Sequence, residues 1–130
     1  MTKHRLLLVE DDADTVETLA PLLEEGGYEV SSAPDGVAAF VRLRYEPVPD
    51  AMLLDLWLPV VNGAEVLEQI RGDPALARLP VVVITAAPIS PIVTRLADVV
   101  IQKPFDLERL LQILATLLAD RERAAPNAGA

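Results

Sequence analysis

The sequence contains no cysteine and a single histidine in 130 residues. Without cysteine there is no disulfide framework and no thiolate chemistry, which fits a reducing cytoplasm. His4, ahead of the first apolar run, reads as an exposed residue and a poor catalytic base. Basic residues are outnumbered, 11 Lys and Arg against 20 Asp and Glu for a net charge of −9. That balance argues against a nucleic-acid binder, whose phosphate contacts need a basic stripe. No apolar stretch reaches the roughly 18 residues that suggest a membrane span. Nor does Met1–Arg5 lead into a signal peptide, because Glu10, Asp11 and Asp12 follow the first apolar run at once. What is present is 52% apolar residues in a chain the length of one domain, enough for a core and too many for disorder.

The apolar residues alternate between two patterns. Runs at Leu6–Val9, Met52–Leu54, Val81–Ile84 and Val99–Ile101, with a weaker one at Tyr28–Ala33, are short and nearly continuous. Such runs predict strands buried on both faces of a parallel sheet. Between them, helical spacing joins Val16, Leu19, Leu22 and Leu23, then Val37, Phe40, Val41 and Leu43. It recurs at Val66, Leu67 and Ile70, and in the stripe Leu107, Leu110, Leu111, Leu114 and Leu117. Gly26-Gly27 ends the first helix, Pro34-Asp35-Gly36 and Glu46-Pro47-Val48-Pro49 are turns, Asp106 caps the last helix, and Pro21 predicts a kink. Glu65 and Glu68 read as solvent-facing. Five strand–helix units in alternation predict a doubly wound α/β fold with a five-stranded parallel sheet and helices on both faces. The domain is expected over residues 1–119 and a flexible C-terminal tail over 120–130, an Ala/Pro-rich end that could equally root a linker. Met1 just ahead of the first strand favours a natural start.

In such a fold the crevice for chemistry lies at the carboxyl ends of the strands. The residues there are Glu10, Asp11 and Asp12 after the first run, Asp55 after the third, Thr85 after the fourth, and Gln102 and Lys103 after the fifth. Taken singly each has an ordinary reading: acids at a helix N-terminus, a loop aspartate, a turn lysine. Together they define a chemistry. Crowded carboxylates need a cation between them or a shared proton, and an all-oxygen set with open positions suits Mg²⁺. A divalent ion plus a Lys point charge holds phosphoryl oxygens, Thr85 adds a hydrogen bond, and one carboxylate becomes the nucleophile.

These residues resemble the receiver domain of two-component response regulators. The segments that carry the resemblance are Leu6-Leu7-Leu8-Val9-Glu10-Asp11-Asp12, Leu53-Leu54-Asp55-Leu56-Trp57-Leu58-Pro59 with Asn62-Gly63, Val83-Ile84-Thr85-Ala86 and Lys103-Pro104-Phe105. It covers roughly residues 4–119, with the flavodoxin-like strand order 2-1-3-4-5. The resemblance implies Asp55 as phosphoacceptor and Asp11, Asp55 and the Trp57 backbone carbonyl as Mg²⁺ ligands. It further implies Glu10 reaching the metal through water, Thr85 as switch hydroxyl, Lys103 as ion-pair partner of the phosphoryl group, and a cis Lys103-Pro104 bond. Asp12 stays outside the ligand set. The implied function is a cytoplasmic signalling phosphoacceptor rather than an enzyme. It is fed by a histidine kinase or histidine phosphotransfer protein and acts on an unknown downstream protein, with no direct nucleic-acid contact and no membrane insertion.

Three departures stand out. Val100 occupies the aromatic switch position; the Thr85–Lys103 interval is short, leaving a fourth helix of about Pro91–Ala97 capped by Ser90; and Trp57 is bulky two residues past the acceptor. Trp57 is expected to restrict attacking water. Val100 and the short helix favour, as the alternative, an interaction module that no longer uses phosphorylation. A hydrolase lacks its second Asp at Trp57, and a flavodoxin-like cofactor binder would meet repulsion from Glu10-Asp11-Asp12 at its phosphate loop.

Overall fold

The apolar runs pair edge to edge into one parallel sheet. The computed structural model describes residues 3–124. Strands β1 (His4–Val9), β2 (Tyr28–Ala33), β3 (Ala51–Leu54), β4 (Val81–Thr85) and β5 (Val99–Gln102) alternate with helices. These are α1 (Ala13–Glu25), α2 (Gly36–Tyr45), α3 (Gly63–Gly72), α4 (Pro91–Leu96) and α5 (Leu107–Ala124). The strand order is β2-β1-β3-β4-β5. Because successive strand side chains point to opposite faces, the continuous runs split evenly between two cores. Leu7, Val9, Met52, Leu54 and Val83 pack against Val66, Leu67 and Ile70 of α3, Ala39 and Leu43 of α2 and Val93 of α4. Leu6, Leu8, Leu53, Val82 and Ile84 meet Leu19 and Leu23 of α1 and Leu110, Leu114 and Leu118 of α5. Each such side chain, fully buried, contributes about 1.5–3 kcal/mol. The run at β2 is weaker because it is an edge strand: Glu29 is exposed and only Ala33 is fully buried.

Register decides which strand ends meet. Val9 pairs with Leu54 and Leu54 with Val83, so residues one step further on β1 and β3 lie side by side. The chain crosses to opposite sides of β1 in making β2 and β3, and this switch point is where a crevice opens.

Several expectations need correction. The segment expected as a tail from Asp120 is helical to Ala124, because Arg121 Nη1 donates to the Asp50 carbonyl (2.7 Å) and His4 Nε2 lies 2.8 Å from Glu122 Oε1. The rest of that expected tail lies outside the described residues. His4 therefore opens β1 and is half-buried rather than preceding the strand in solvent. Thr85 is the last residue of β4 rather than the first after it. The expected stop of α1 at Gly26-Gly27 holds, with Pro21 inside the helix, the C-cap at Gly26 and Gly27 at φ 104°. Leu22 is exposed, and on α2 so are Val37 and Val41: that helix turns Gly36, Ala39 and Leu43 inward instead. Small residues face the sheet there because α2 packs close. A Cβ on Gly36 would sit 2.9 Å from Val66 Cγ2 and 3.0 Å from the Val61 carbonyl oxygen.

Candidate functional site

Each acidic side chain is placed by the backbone that precedes it. The Asp55 N–H donates to the Val9 carbonyl (3.1 Å) and the Glu10 N–H to Ala33 (3.0 Å), extending the ladder one residue past β1 and β3. Glu10 and Asp55 are accordingly buried, at 5% and 8% exposure, whereas Asp11 faces solvent. One carboxylate oxygen from each of Glu10, Asp11 and Asp55 lies within 4.8 Å of the others. Lys103, fixed by its own N–H to the Thr85 carbonyl (2.9 Å), reaches back between them. Its Nζ is 2.9 Å from Glu10 Oε1 and 3.0 Å from Asp55 Oδ2. The Lys103-Pro104 bond is cis.

The remaining acceptors are held by main-chain donors. Asp55 Oδ1 accepts from the Trp57 N–H (3.0 Å) and Glu10 Oε2 from the Asp12 N–H (3.2 Å). The first bond brings the Trp57 backbone to the acceptor while its indole stays largely exposed. Gly63 closes this loop: its N–H donates to Leu56 (2.9 Å), and a Cβ there would lie 2.4 Å from the Asp55 carbonyl oxygen, so only glycine fits. In the same loop Val60 has φ 68°, a left-handed conformation costing a β-branched residue about 1–2 kcal/mol.

Burial raises the Glu10 carboxyl above its ordinary range, the Asp55 charge adds to this, and hydrogen bonds from Lys103 and the Asp12 N–H offset it in part. For Lys103 burial opposes the charge, yet its hydrogen bonds to Glu10 and Asp55 prevail and hold the ammonium above its usual value. Asp12 stands apart as the N-cap of α1, accepting from Thr15 Oγ1 (2.8 Å) and the Asp14 N–H (3.1 Å), and the Thr15 bond leads in lowering its pKa. Thr85 is fully buried at the neighbouring strand end, and its Oγ1 accepts from the Ala87 N–H (2.9 Å). The structure thus brings Glu10, Asp11, Asp55 and Lys103 together and holds Thr85 one strand away with its hydroxyl engaged.

The donor set is all oxygen, Glu10 and Asp55 share one ammonium, and Asp11 beside them opens to solvent. That chemistry fits a hard divalent cation retaining some water.

One feature escaped the sequence reading. A groove of about 410 Å³ runs between α1 and the segment leading into α5, lined by Thr15, Leu19, Leu22, Phe105 and Leu107. Thr15, Leu19 and Phe105 also border the acidic site. Its only sequence signal was that two amphipathic helices converge on the same strand ends.

The family model described as "Response regulator receiver domain" matches residues 6–115. The chain is 40% identical over 118 residues to the response regulator MprA of Mycobacterium tuberculosis, covering 88% of this chain and 50% of MprA. It is 34% identical over 125 residues to the "DNA-binding dual master transcriptional regulator RpaA" of Synechocystis sp., covering 92% of this chain and 51% of RpaA. It therefore spans about half the length of these curated relatives. Among solved structures, the receiver domain of sensor histidine kinase PA1611 from Pseudomonas aeruginosa superposes with a TM-score of 0.82 at 26% identity, over 91% of this chain and 99% of that one. That structure has a magnesium ion coordinated in its active site cleft.

Proposed function

Because the chain belongs to the response regulator receiver domain family, a family of signalling phosphoacceptors, we propose that Asp55 accepts the phosphoryl group from a phosphohistidine donor and that this chain signals through protein contacts. The observation that carries this reading is the Lys103 ammonium bridging Glu10 and Asp55 beside an exposed Asp11. A carboxylate oxygen of Asp55 forms the new P–O bond while the P–N bond of the donor breaks and the imidazole leaves with the electron pair. Trp57 and Lys103 orient the Asp55 carboxylate through their N–H donors, so the nucleophile is aimed before the donor arrives. Lys103 then turns an N–H towards the phosphoryl oxygens and, still protonated, stabilises the negative charge that builds there in the transition state. Asp11, Asp55 and the Trp57 carbonyl would hold Mg²⁺, with Glu10 reaching it through water; when bound it neutralises phosphoryl oxygen charge. Thr85 Oγ1 accepts from the Ala87 N–H and keeps its own O–H to donate to a phosphoryl oxygen, the role of the switch hydroxyl.

The donor is a histidine kinase or histidine phosphotransfer protein, and the groove beside the site supplies the apolar surface on which such a protein docks. The output is a downstream protein, with no direct nucleic-acid contact by this acidic chain, and the setting is the cytoplasm. No helix among the described residues is long and apolar enough to cross a membrane.

Intact mass after incubation with Mg²⁺ and a small-molecule phosphodonor tests the reading. One phosphoryl group is expected on the wild type, and none on Asp55→Asn or without Mg²⁺. Absence of any gain together with absence of Mg²⁺ binding sinks it and promotes the phosphorylation-independent interaction module.

A further inference from the structure

The outward face of α2 is apolar where a surface helix is ordinarily polar. Val37, Val41 and Tyr45 recur every fourth residue and are 48%, 51% and 77% exposed. Beside them, between α2 and α3, lies a groove of about 530 Å³ lined by Phe40, Leu43, Val48 and Leu76, with Arg44 and Asp73 as its charged residues. At 100° per residue Arg44 and Phe40 fall between the stripe and the groove, so the two form one surface. A projecting aromatic and a hole that could receive one therefore sit on the same patch. Charge is arranged in the same way: Arg44 lies over its own Tyr45 ring (5.9 Å) and Asp73 Oδ1 accepts from the Ala75 N–H (2.9 Å), but among the described residues neither is in an ion pair, and both line the groove. Arg42 is paired with Glu46 and Arg44 is matched by Asp73 on the groove, so in a chain of net charge −9 this face is near neutral and two copies meet on it with little repulsion.

We propose that this face binds the same face of a second copy across a twofold axis. The Tyr45 ring of each copy seats in the α2–α3 groove of the other, and each Arg44 faces Asp73 of the partner subunit. A patch that carries both knob and hole, and both members of an ion pair, is self-complementary, as a twofold contact requires and a head-to-tail contact does not. Tyr is among the residues that most often dominate such contacts. A ten-residue helix spans only about 15 Å, so the contact is small against the roughly 800 Å² per partner of a standard interface, and the association is weak.

Sedimentation equilibrium of the whole unphosphorylated chain tests this between about 5 and 500 μM, a range centred on dissociation constants of tens of micromolar. The average mass is expected to rise from 14.0 kDa towards twice that value. Tyr45→Ala is expected to weaken association at least about tenfold, the scale of a hot-spot truncation. Arg44→Asp and Asp73→Arg each weaken it, and the two together restore it. All three positions are exposed, and circular dichroism of each variant checks that it stays folded. A chain that keeps its monomer mass throughout overturns the proposal and leaves the face to a different protein. Association indifferent to Tyr45→Ala and to the charge exchange also overturns it, by placing the contact elsewhere. Neither outcome bears on phosphorylation of Asp55.

Discussion

Two cation–carboxylate clusters sit at opposite ends of the sheet, and their contrast separates architecture from chemistry. At the amino ends of β4 and β5, Arg71 donates to the carbonyls of Leu96 (2.8 Å), Ala77 (3.1 Å) and Leu79 (2.7 Å) and pairs with Asp98 (2.9 Å). The same Asp98 oxygen accepts from the Val81 N–H at 2.7 Å. One cation meets one anion, its guanidinium donors end on backbone acceptors, and nothing more is called for. At the carboxyl ends, Lys103 pairs with Glu10 and Asp55, and Asp11, whose carboxylate converges with theirs within 4.8 Å, has no cation of its own. That cluster has negative charge to spare and one arm in solvent. A saturated cluster fixes structure, whereas an unsaturated one has carboxylate charge left over for a cation.

Helix α3 joins the two: it begins against the Asp55 loop and ends at Arg71 and Gly72, and Arg71 in turn holds the last residue of the six-residue α4. With only Val93 buried, α4 has little apolar anchorage, and the Arg71 bond to Leu96 supplies a polar one.

The sharpest way to break the contrast is Lys103→Met. Phosphoryl uptake from a small-molecule donor is expected to fall at least about a hundredfold, the scale of one lost charge-stabilising donor. Mg²⁺ binding is expected to survive, since the three carboxyl groups remain; Trp57 fluorescence reports it. Arg71→Leu has the converse profile. It leaves Asp98 with only the Val81 N–H and the Leu96, Ala77 and Leu79 carbonyls without their Arg71 donor, and urea unfolding is expected to show a loss of about 2–3 kcal/mol with Mg²⁺ affinity unchanged. Asn62→Ala probes the helix between the clusters. Asn62 accepts from the Glu65 N–H and donates to the Glu65 carboxylate, both at 3.0 Å, so its loss is expected to cost about 1 kcal/mol in the same assay. The smallest effect is kinetic: Trp57→Ala is expected to shorten the phosphoryl lifetime several-fold by admitting water to Asp55, and an equal dephosphorylation rate removes Trp57 from that role.

Much of this was legible in the chain. Burial on both faces forces continuous apolar runs, so the central strands were visible as Leu6–Val9, Met52–Leu54 and Val81–Ile84, and the residues just beyond them were candidates by position. Caps were legible for the same local reason: Ser90 accepts from the Val93 N–H and Asp106 from the Glu108 N–H. Partner choice was not legible. Which of four neighbouring acids Lys103 bonds depends on the register of β1, β3 and the β5 end, set by residues tens of positions apart. The outward stripe of α2 misled for a related reason. Val37 and Val41 have helical spacing, but the side that packs is chosen by how closely Gly36 and Ala39 let the helix approach α3 and the sheet.

The sequence by itself determined the alternating α/β order, the parallel sheet and the acids at its carboxyl edge, because hydrophobic period and turn chemistry act over a few residues. Only the tertiary structure decided that Lys103 lies between Glu10 and Asp55, that Thr85 turns to Ala87, that Arg71 saturates the opposite corner, and that α5 continues to Ala124 against Asp50 and His4. Each of those is a contact between distant segments, and its geometry exists only once the sheet register has brought them within hydrogen-bonding distance.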